Sequence, residues 1–335
     1  MTNQRWSPEQ AWAWINARPW LCGFNFLPSS AVNTTEMWQA ESFDAATIDR
    51  ELGWAQAIGL NSCRVFLQFL VWKDDPAGQK DRMEHFLRIA DKHSMSTMFI
   101  LFDDCAFSGK QPYLGPQADP VAGIHNSGWT PSPGWDHVVD RSQWPDLQAY
   151  VQDLVSTFAQ DQRIVAWDLY NEPGASKMGN HTLPLLEATF GWARLMQPTQ
   201  PLTVGTWHSD LNELNQCSLD RSDLISFHAY SDLESTRKMI EQLEPLGRPL
   251  LCTEWMARTH HSNFETHLPL FKQARVGCYM WGLVQGSTQT YYPWGSPAGA
   301  PEPALWHHDI FRTDGTPYRS QEIALIRQHA IVLET

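Results

Sequence analysis

Two carboxylates stand out by what surrounds them. Glu172 lies in the segment AWDLYNEPG, residues 166–174, and Glu254 in PLLCTEW, residues 249–255. Each follows an apolar run of the kind that forms a buried strand. After Glu172, Pro173 and Gly174 must end that strand, because proline lacks an N–H and glycine permits any turn. Both acids therefore belong on a rim and not in the middle of a sheet. Two carboxyl groups facing one ligand can divide acid–base and nucleophilic work, which is what cleavage of a glycosidic bond requires. Further polar and aromatic residues end apolar runs in the same way: Asn25, Arg64 and Gln68, Asp103 and Asp104, Trp207 and His208, His228 and Tyr230, Trp255, and Trp281 with Gln285. Arg64 sits inside an apolar run and needs a buried anion whatever the function.

These residues must be carried by strands, and eight apolar runs are present: residues 21–27, 62–69, 97–104, 164–170, 202–207, 224–230, 249–255 and 276–284. Each is continuous rather than alternating, as parallel strands covered on both faces should be. Between them Ile48, Leu52, Ala55 and Ile58 share a helix face, as do Met83, Phe86, Leu87 and Ala90. Leu147, Val151, Leu154 and Phe158 make a third face, and Leu186, Phe190 and Ala193 a fourth. Residues 232–246 and 262–275 supply two more helices, whereas the link around Leu211–Asn215 reads as too short for one. Residues 8–17 and 317–332 read as helices outside the repeat. Eight alternations predict a (β/α)8 barrel, with residues 1–335 as one domain. A doubly wound open sheet has less support, since no glycine-rich fingerprint follows an early strand. In such a barrel the C-terminal strand ends carry the chemistry, and runs four and seven face each other across the mouth.

Composition narrows the partners. The net charge is −13 and no Lys/Arg run is present, which argues against nucleic acid or an anionic membrane. No apolar stretch is long enough to span a bilayer. The start, MTNQRWSPEQ, lacks a signal-peptide core, so a cytoplasmic location is expected unless a leader precedes it. That location would suit short imported saccharides better than polymers. Six cysteines are scattered without a C-x-x-C pair, so no zinc site is expected, and Cys22, Cys63, Cys252 and Cys278 read as small buried thiols. His260-His261 and His307-His308 invite a metal reading. Neighbours in sequence point apart, however, and no carboxylate has fitting spacing, so both pairs are read as loop surface and no metal or cofactor is expected. Residues 105–143 hold five Gly and five Pro and cannot be one helix. With the stretch of about 285–308 they form two long loops on the catalytic face, carrying Trp129, Trp135, Tyr291, Tyr292, Trp294 and Trp306. Such aromatics either stack on sugar rings or pin the loops. Two ordered long loops over one mouth would wall off part of the cleft and favour action at a chain end.

YNEP at 170–173 and TEW at 253–255, together with Arg64, His228-x-Tyr230 and Trp281, resemble the clan A retaining glycoside hydrolases, closest to family 5. The resemblance runs over nearly the whole chain. It departs at strand three, where family 5 enzymes often carry a His and this chain has Asp103-Asp104, which leaves the exact family and the sugar open. The resemblance implies that Glu172 is the general acid and then the base, and that Glu254 is the nucleophile. It implies that Asn171 binds the sugar 2-OH, that Arg64 orients Glu254 and keeps it ionised, and that Tyr230 donates to Glu254. His228 would lie near the leaving group and Trp281 under the cleaved sugar. Asn25, Asp104, Trp207 and His208 are further candidates for substrate contact, Asp104 equally for bracing the rim. The mechanism calls for a raised pKa on Glu172 and, through Arg64, a lowered one on Glu254. The activity implied is retaining β-glycoside hydrolysis, on oligosaccharides or glycosides. The alternatives are an internally cutting β-glycanase of mannanase, glucanase or xylanase type, and a carbohydrate-binding barrel without catalysis, against which the presence of both glutamates argues. A metal-dependent barrel hydrolase would need an early His pair, where this chain has Phe24-Asn25-Phe26.

Overall fold

The computed structural model describes residues 4–330. Nine parallel strands form one sheet: β1 (Cys22–Phe26), β2 (Ser62–Phe66), β3 (Ser96–Asp103), β4 (Ile164–Asn171), β5 (Leu202–Thr203), β6 (Gly205–Thr206), β7 (Ile225–Ala229), β8 (Leu250–Trp255) and β9 (Gly277–Trp281). Their order is β5-β4-β3-β2-β1-β9-β8-β7-β6. The two edge strands, β5 and β6, are separated only by Val204, so the sheet closes on itself through one piece of chain. The fifth position of a (β/α)8 barrel is thus split in two. The break has a local cause: the Val204 N–H donates to Ser222 Oγ at 3.1 Å instead of joining the ladder.

Helices cover the outside. The expected faces are buried, with Ile48, Leu52 and Ala55 in the helix 45–57 and Met83, Phe86, Leu87 and Ala90 in 76–92. Leu147, Val151 and Leu154 in 144–157, and Leu186, Phe190 and Ala193 in 183–195, are buried likewise. Side-chain caps set several starts: Asp44 accepts from the Thr47 N–H, Asp75 from Gly78 and Asp232 from Ser235, each worth about 1 kcal/mol. One expectation is corrected. The link after the fifth strand does carry a helix, Asn212–Arg221, which buries only Leu214, Cys217 and Ser218. A mostly polar helix that needs so narrow an apolar stripe leaves little periodic signal.

The N-terminal helix Pro8–Asn16 closes the bottom of the barrel. Ala11 is buried there with Leu21, Met98, Val165, Leu224, Leu251 and Tyr279, and Trp14 Nε1 donates to the Val165 carbonyl at 3.0 Å. The C-terminal helix runs Ser320–Ala330; residues 331 and 332 of the expected helix lie outside the described residues. No helix is long and apolar enough to cross a membrane among the described residues.

Candidate active site

The barrel interior turns polar one layer below the mouth, and Arg64 is the centre of that layer. Its side chain is fully buried. Nε and Nη2 donate to Asp168 Oδ2 at 2.9 and 2.8 Å, Nη1 to Asn25 Oδ1 at 2.7 Å and to Glu254 Oε1 at 2.8 Å, and Nη2 to Asn171 Oδ1 at 2.7 Å. One guanidinium thereby ties β1, β2, β4 and β8 together. The planar fork makes this possible, since it supplies five donors in fixed directions.

Above Arg64 lie the two glutamates. Glu254 accepts from Arg64 on Oε1 and from the Tyr230 hydroxyl on Oε2 at 2.9 Å. Glu172 Oε1 lies 2.9 Å from His228 Nδ1 and its Oε2 lies 3.1 Å from Cys105 Sγ. His228 Nδ1 is also 3.4 Å from Glu254 Oε2, so the imidazole sits between the acids. One ligand atom from each of Glu172, His228 and Glu254 lies within 4.8 Å of the others.

Burial pushes both carboxyls above the usual range. At Glu254 the opposing influences are His228, Arg64 and Tyr230, with the Glu172 charge adding to the rise. At Glu172 they are the Cys105 contact and the more distant charges of Arg64 and His208. The expected net lowering of Glu254 is therefore corrected: loss of water outweighs its charged partner. The ion pair with Arg64 still belongs to Glu254, while Glu172 has only a thiol and an imidazole beside it. Burial holds His228 down to about 4, so it is neutral near pH 7. Its Nε2 has no hydrogen-bond partner among the described residues.

These residues open into a cavity of about 380 Å³, at the small end of the range of roughly 300–1,000 Å³ typical of ligand pockets. Asn171, Glu172, Trp207, His208, His228, Tyr230, Glu254 and Trp281 all line it. Trp281 packs edge-on against Phe66 at 5.7 Å and lies 5.9 Å from Trp129. The two long loops supply the rest of the wall: Cys105, Phe107, His125, Asn126 and Trp129 from the first, Trp294 and His308 from the second. They are bonded to each other. The Asn126 N–H donates to the Thr288 carbonyl and the Gly299 N–H to that of Ala122, both at 2.7 Å. Gln289 bridges to the Gly123 N–H at 3.0 Å and to the Val121 carbonyl at 2.9 Å.

Of the candidate site residues, Arg64, Asn25 and Asp104 do not line the cavity; substrate contact is corrected for Arg64 and Asn25, and Asp104 takes the bracing role of the two left open for it. Arg64 is sealed beneath the glutamates and does not line the cavity. Asn25 spends its side chain on Arg64 and on the Thr253 carbonyl, 2.9 Å away. Asp104 is buried, accepting from the Tyr170 hydroxyl and the Gly174 N–H, each at 2.7 Å, and from Thr182, so it braces the corner after Asn171. Asp103 faces the other way and accepts from Asn171 Nδ2 at 2.9 Å and Trp129 Nε1 at 2.7 Å. Trp255 is core, packed on Phe264 and Phe271. The loop-surface reading fits His260 and His261, which are exposed, but not His307 and His308. Those two are buried, with ring centroids 4.1 Å apart, under Trp294. Of the loop aromatics, Trp129 and Trp294 face the cavity. Tyr291 packs on Trp306, which stacks on Tyr318.

Sequence reasoning missed Asp168, Cys105, Phe107, Asn126, His125 and His308. Asp168 had a signal, being the one acid inside an otherwise apolar run. Cys105 had another, standing just past the third strand end. Glu172, His228 and Glu254 could together hold a cation, and no other group of three His, Cys, Asp or Glu residues converges so among the described residues. Arg64, at 2.8 Å on Glu254, places a positive charge against such an ion.

Residues 122–287 match the family model described as Cellulase (glycosyl hydrolase family 5). No curated protein sequence matches the chain significantly. Among solved structures, the endo-β-1,4-mannanase of Thermotoga petrophila is 14% identical with a TM-score of 0.61, over 94% of this chain and 77% of that one. The exo-β-1,4-mannosidase of an Opitutaceae bacterium, strain TAV5, is 16% identical with a TM-score of 0.64, over 93% of this chain and 60% of its own length. The family 5 mannosidase of Rhizomucor miehei is 12% identical with a TM-score of 0.60, over 93% and 92% of the two chains. At these identities the likeness is one of fold.

Proposed function

Residues 122–287 mark the chain as a clan A glycoside hydrolase of family 5, an O-glycosyl hydrolase, and from that premise we propose that it is a retaining β-glycosidase that trims short saccharides or glycosides. One observation carries the proposal: carboxylate oxygens of Glu172 and Glu254 lie within 4.8 Å of each other. Retaining enzymes place the two groups about 5–5.5 Å apart and inverting enzymes about 6.5–9.5 Å, the larger gap leaving room for a water.

Glu254 is the nucleophile. Arg64 and Tyr230 hold its two oxygens and favour the carboxylate, which attacks the anomeric carbon. Glu172 is the acid. Among the described residues it has no direct lysine or arginine partner, and burial favours its protonated form, from which the proton can pass to the leaving oxygen. In the second half-reaction the Glu172 carboxylate takes a proton from water as that water attacks the glycosyl-enzyme. His228, neutral and between the two, can hydrogen-bond either acid as the proton moves. Asn171 lies at the cavity wall, and Trp281 offers an apolar face for a sugar ring. The stitched loops favour a chain end over a chain middle. Mannosides head the panel of sugars to assay, because the similar folds named above are a mannanase and mannosidases.

Azide rescue tests the roles. Glu254→Ala is expected to lose all turnover. Glu172→Ala should still cleave dinitrophenyl glycosides, whose leaving group needs no proton, and with azide should yield a β-glycosyl azide. An α-azide, or rescue with the roles exchanged, refutes the assignment. Full activity in excess chelator is expected, and its loss would point to a cation held by Glu172, His228 and Glu254.

A further inference from the structure

Cys105 touches Glu172 and has no part in the chemistry above. It follows Asp103 and Asp104 just past β3, lines the cavity and is almost wholly buried. Its backbone N–H donates to Asp103 Oδ1 at 2.9 Å, the same oxygen that takes Asn171 Nδ2 at 2.9 Å. Trp129 Nε1 holds the other Asp103 oxygen at 2.7 Å. The cysteine is thus set from behind by a buried carboxyl group that also sets Asn171. Its Sγ lies 3.1 Å from Glu172 Oε2, while Glu172 Oε1 is beside His228.

We propose that Cys105 is a positioning residue for Glu172: its S–H donates to Oε2, fixes the carboxyl plane against His228, and favours the ionised form less than a hydroxyl would. This rests on Glu172 being the acid–base group. The choice of a thiol follows from what that group must do. A hydroxyl donates a stronger bond and would hold Glu172 more firmly as carboxylate, depleting the acid form. An alanine would leave Oε2 without its donor and the plane less fixed. A thiol orients the carboxyl at less cost to its proton than a hydroxyl would. The thiol itself stays protonated: burial and the charges of Asp103, Glu172 and Glu254 push it well above the usual range. It is therefore a donor and not a nucleophile.

The test compares wild type with Cys105→Ala and Cys105→Ser. The protonation of Glu172 is followed by infrared difference titration of its C=O stretch, assigned with Glu172→Gln, and kcat/KM is followed against pH on aryl β-glycosides. The midpoint is expected to rise in the alanine variant and fall in the serine variant, each by about half to one pH unit, as for loss or gain of a modest hydrogen bond to a carboxylate. The alkaline limb of kcat/KM should move with it, and Cys105→Ala should lower kcat with KM within about twofold, the mark of an interaction felt in the transition state. Coincident midpoints in all three proteins, or a rise with serine, overturn the proposal. Midpoints that move in the expected order while the kcat/KM profile stays put would uphold the Cys105 contact and instead refute the acid–base reading of Glu172. Should the alanine variant fail to fold, wild type against serine, which keeps the side chain's shape, still decides the sign.

Discussion

Arg64→Met separates what the buried guanidinium does for the fold from what it does for the chemistry. The variant keeps an unbranched stem and much of the side-chain volume, and removes the guanidinium with its charge and its donors. It leaves Asp168, fully buried, with no partner on Oδ1 and none on Oδ2, since both bonds to that oxygen came from Arg64. Glu254 loses its ion pair with Arg64. Breaking a buried pair costs about 3–5 kcal/mol. With an unfolding entropy of roughly 2.1 cal/mol/K per residue, a chain of 335 residues should melt about 4–7 °C lower. Glu254, the proposed nucleophile, is affected separately. An adjacent opposite charge lowers a carboxyl pKa by about 1–3 units, so its loss should raise the acid limb of kcat/KM by a like amount. Burial already pushes Glu254 up, and along the acid limb of the profile such a shift lowers activity by roughly 10- to 1,000-fold.

The double variant Arg64→Met/Asp168→Asn keeps the two effects apart. Neutralising Asp168 removes one stranded charge, so the melting temperature should recover by several degrees. The charge beside Glu254 is still missing, so the pH profile should stay where the single variant put it. Calorimetry on both proteins and a pH series on one aryl glycoside are sufficient. A single variant that melts like wild type refutes the structural half of the reasoning. An unmoved acid limb, or activity restored in the double variant, refutes the other half.

The walled cleft predicts release of one short product from soluble β-glycan oligosaccharides with viscosity unchanged; a rapid fall in viscosity with few new reducing ends would show internal cutting. A second expectation concerns Asp309, buried under the second loop and pushed up to about 7 by burial against the pull of Thr290. With a folded pKa above the unfolded one, its contribution to stability is fully present below about pH 4 and is lost as pH rises through about 7. Asp309→Asn should therefore flatten the fall in melting temperature between pH 4 and 8, with a residual slope from Asp103 and Glu51, which burial also pushes to about 7; an unchanged slope would refute this.

The strand ends were legible because a parallel strand buried on both faces is a continuous apolar run, and a polar residue that ends one is conspicuous. Glu172, Glu254, His228, Tyr230 and Trp281 were all found in this way. Orientation was harder to read. Asp103 and Asp104 are adjacent, so their side chains leave a strand on opposite sides. One reaches Asn171 beside the cavity and the other reaches Thr182 behind it, and nothing in their order says which. Asn25 and Asp168 escaped as partners of Arg64 because they stand 39 and 104 positions from it. Only the closed barrel brings them together. His307 and His308 misled for a third reason. A loop that folds under an aromatic buries residues whose composition reads as surface, and a loop lacks the periodicity that would reveal it.

The corner at Glu172 shows how such distant contacts sustain a local conformation. Glu172 has φ +41° and Gly174 φ +88°, both in the left-handed region that a glycine enters freely and a glutamate does not. A non-glycine residue there costs about 1–3 kcal/mol and persists only where its surroundings over-determine it. Here they do. The Gly174 N–H is held by Asp104, the Pro173 carbonyl accepts from Trp207 Nε1 at 3.1 Å, and the Ala175 N–H closes back on the Glu172 carbonyl at 3.0 Å. A continuing strand would have sent the next side chain on past the mouth of the barrel. The left-handed turn brings the carboxyl back over it, between the thiol on β3's end and the imidazole on β7. Asp104, which does not line the cavity, thus holds the backbone that aims Glu172 into it.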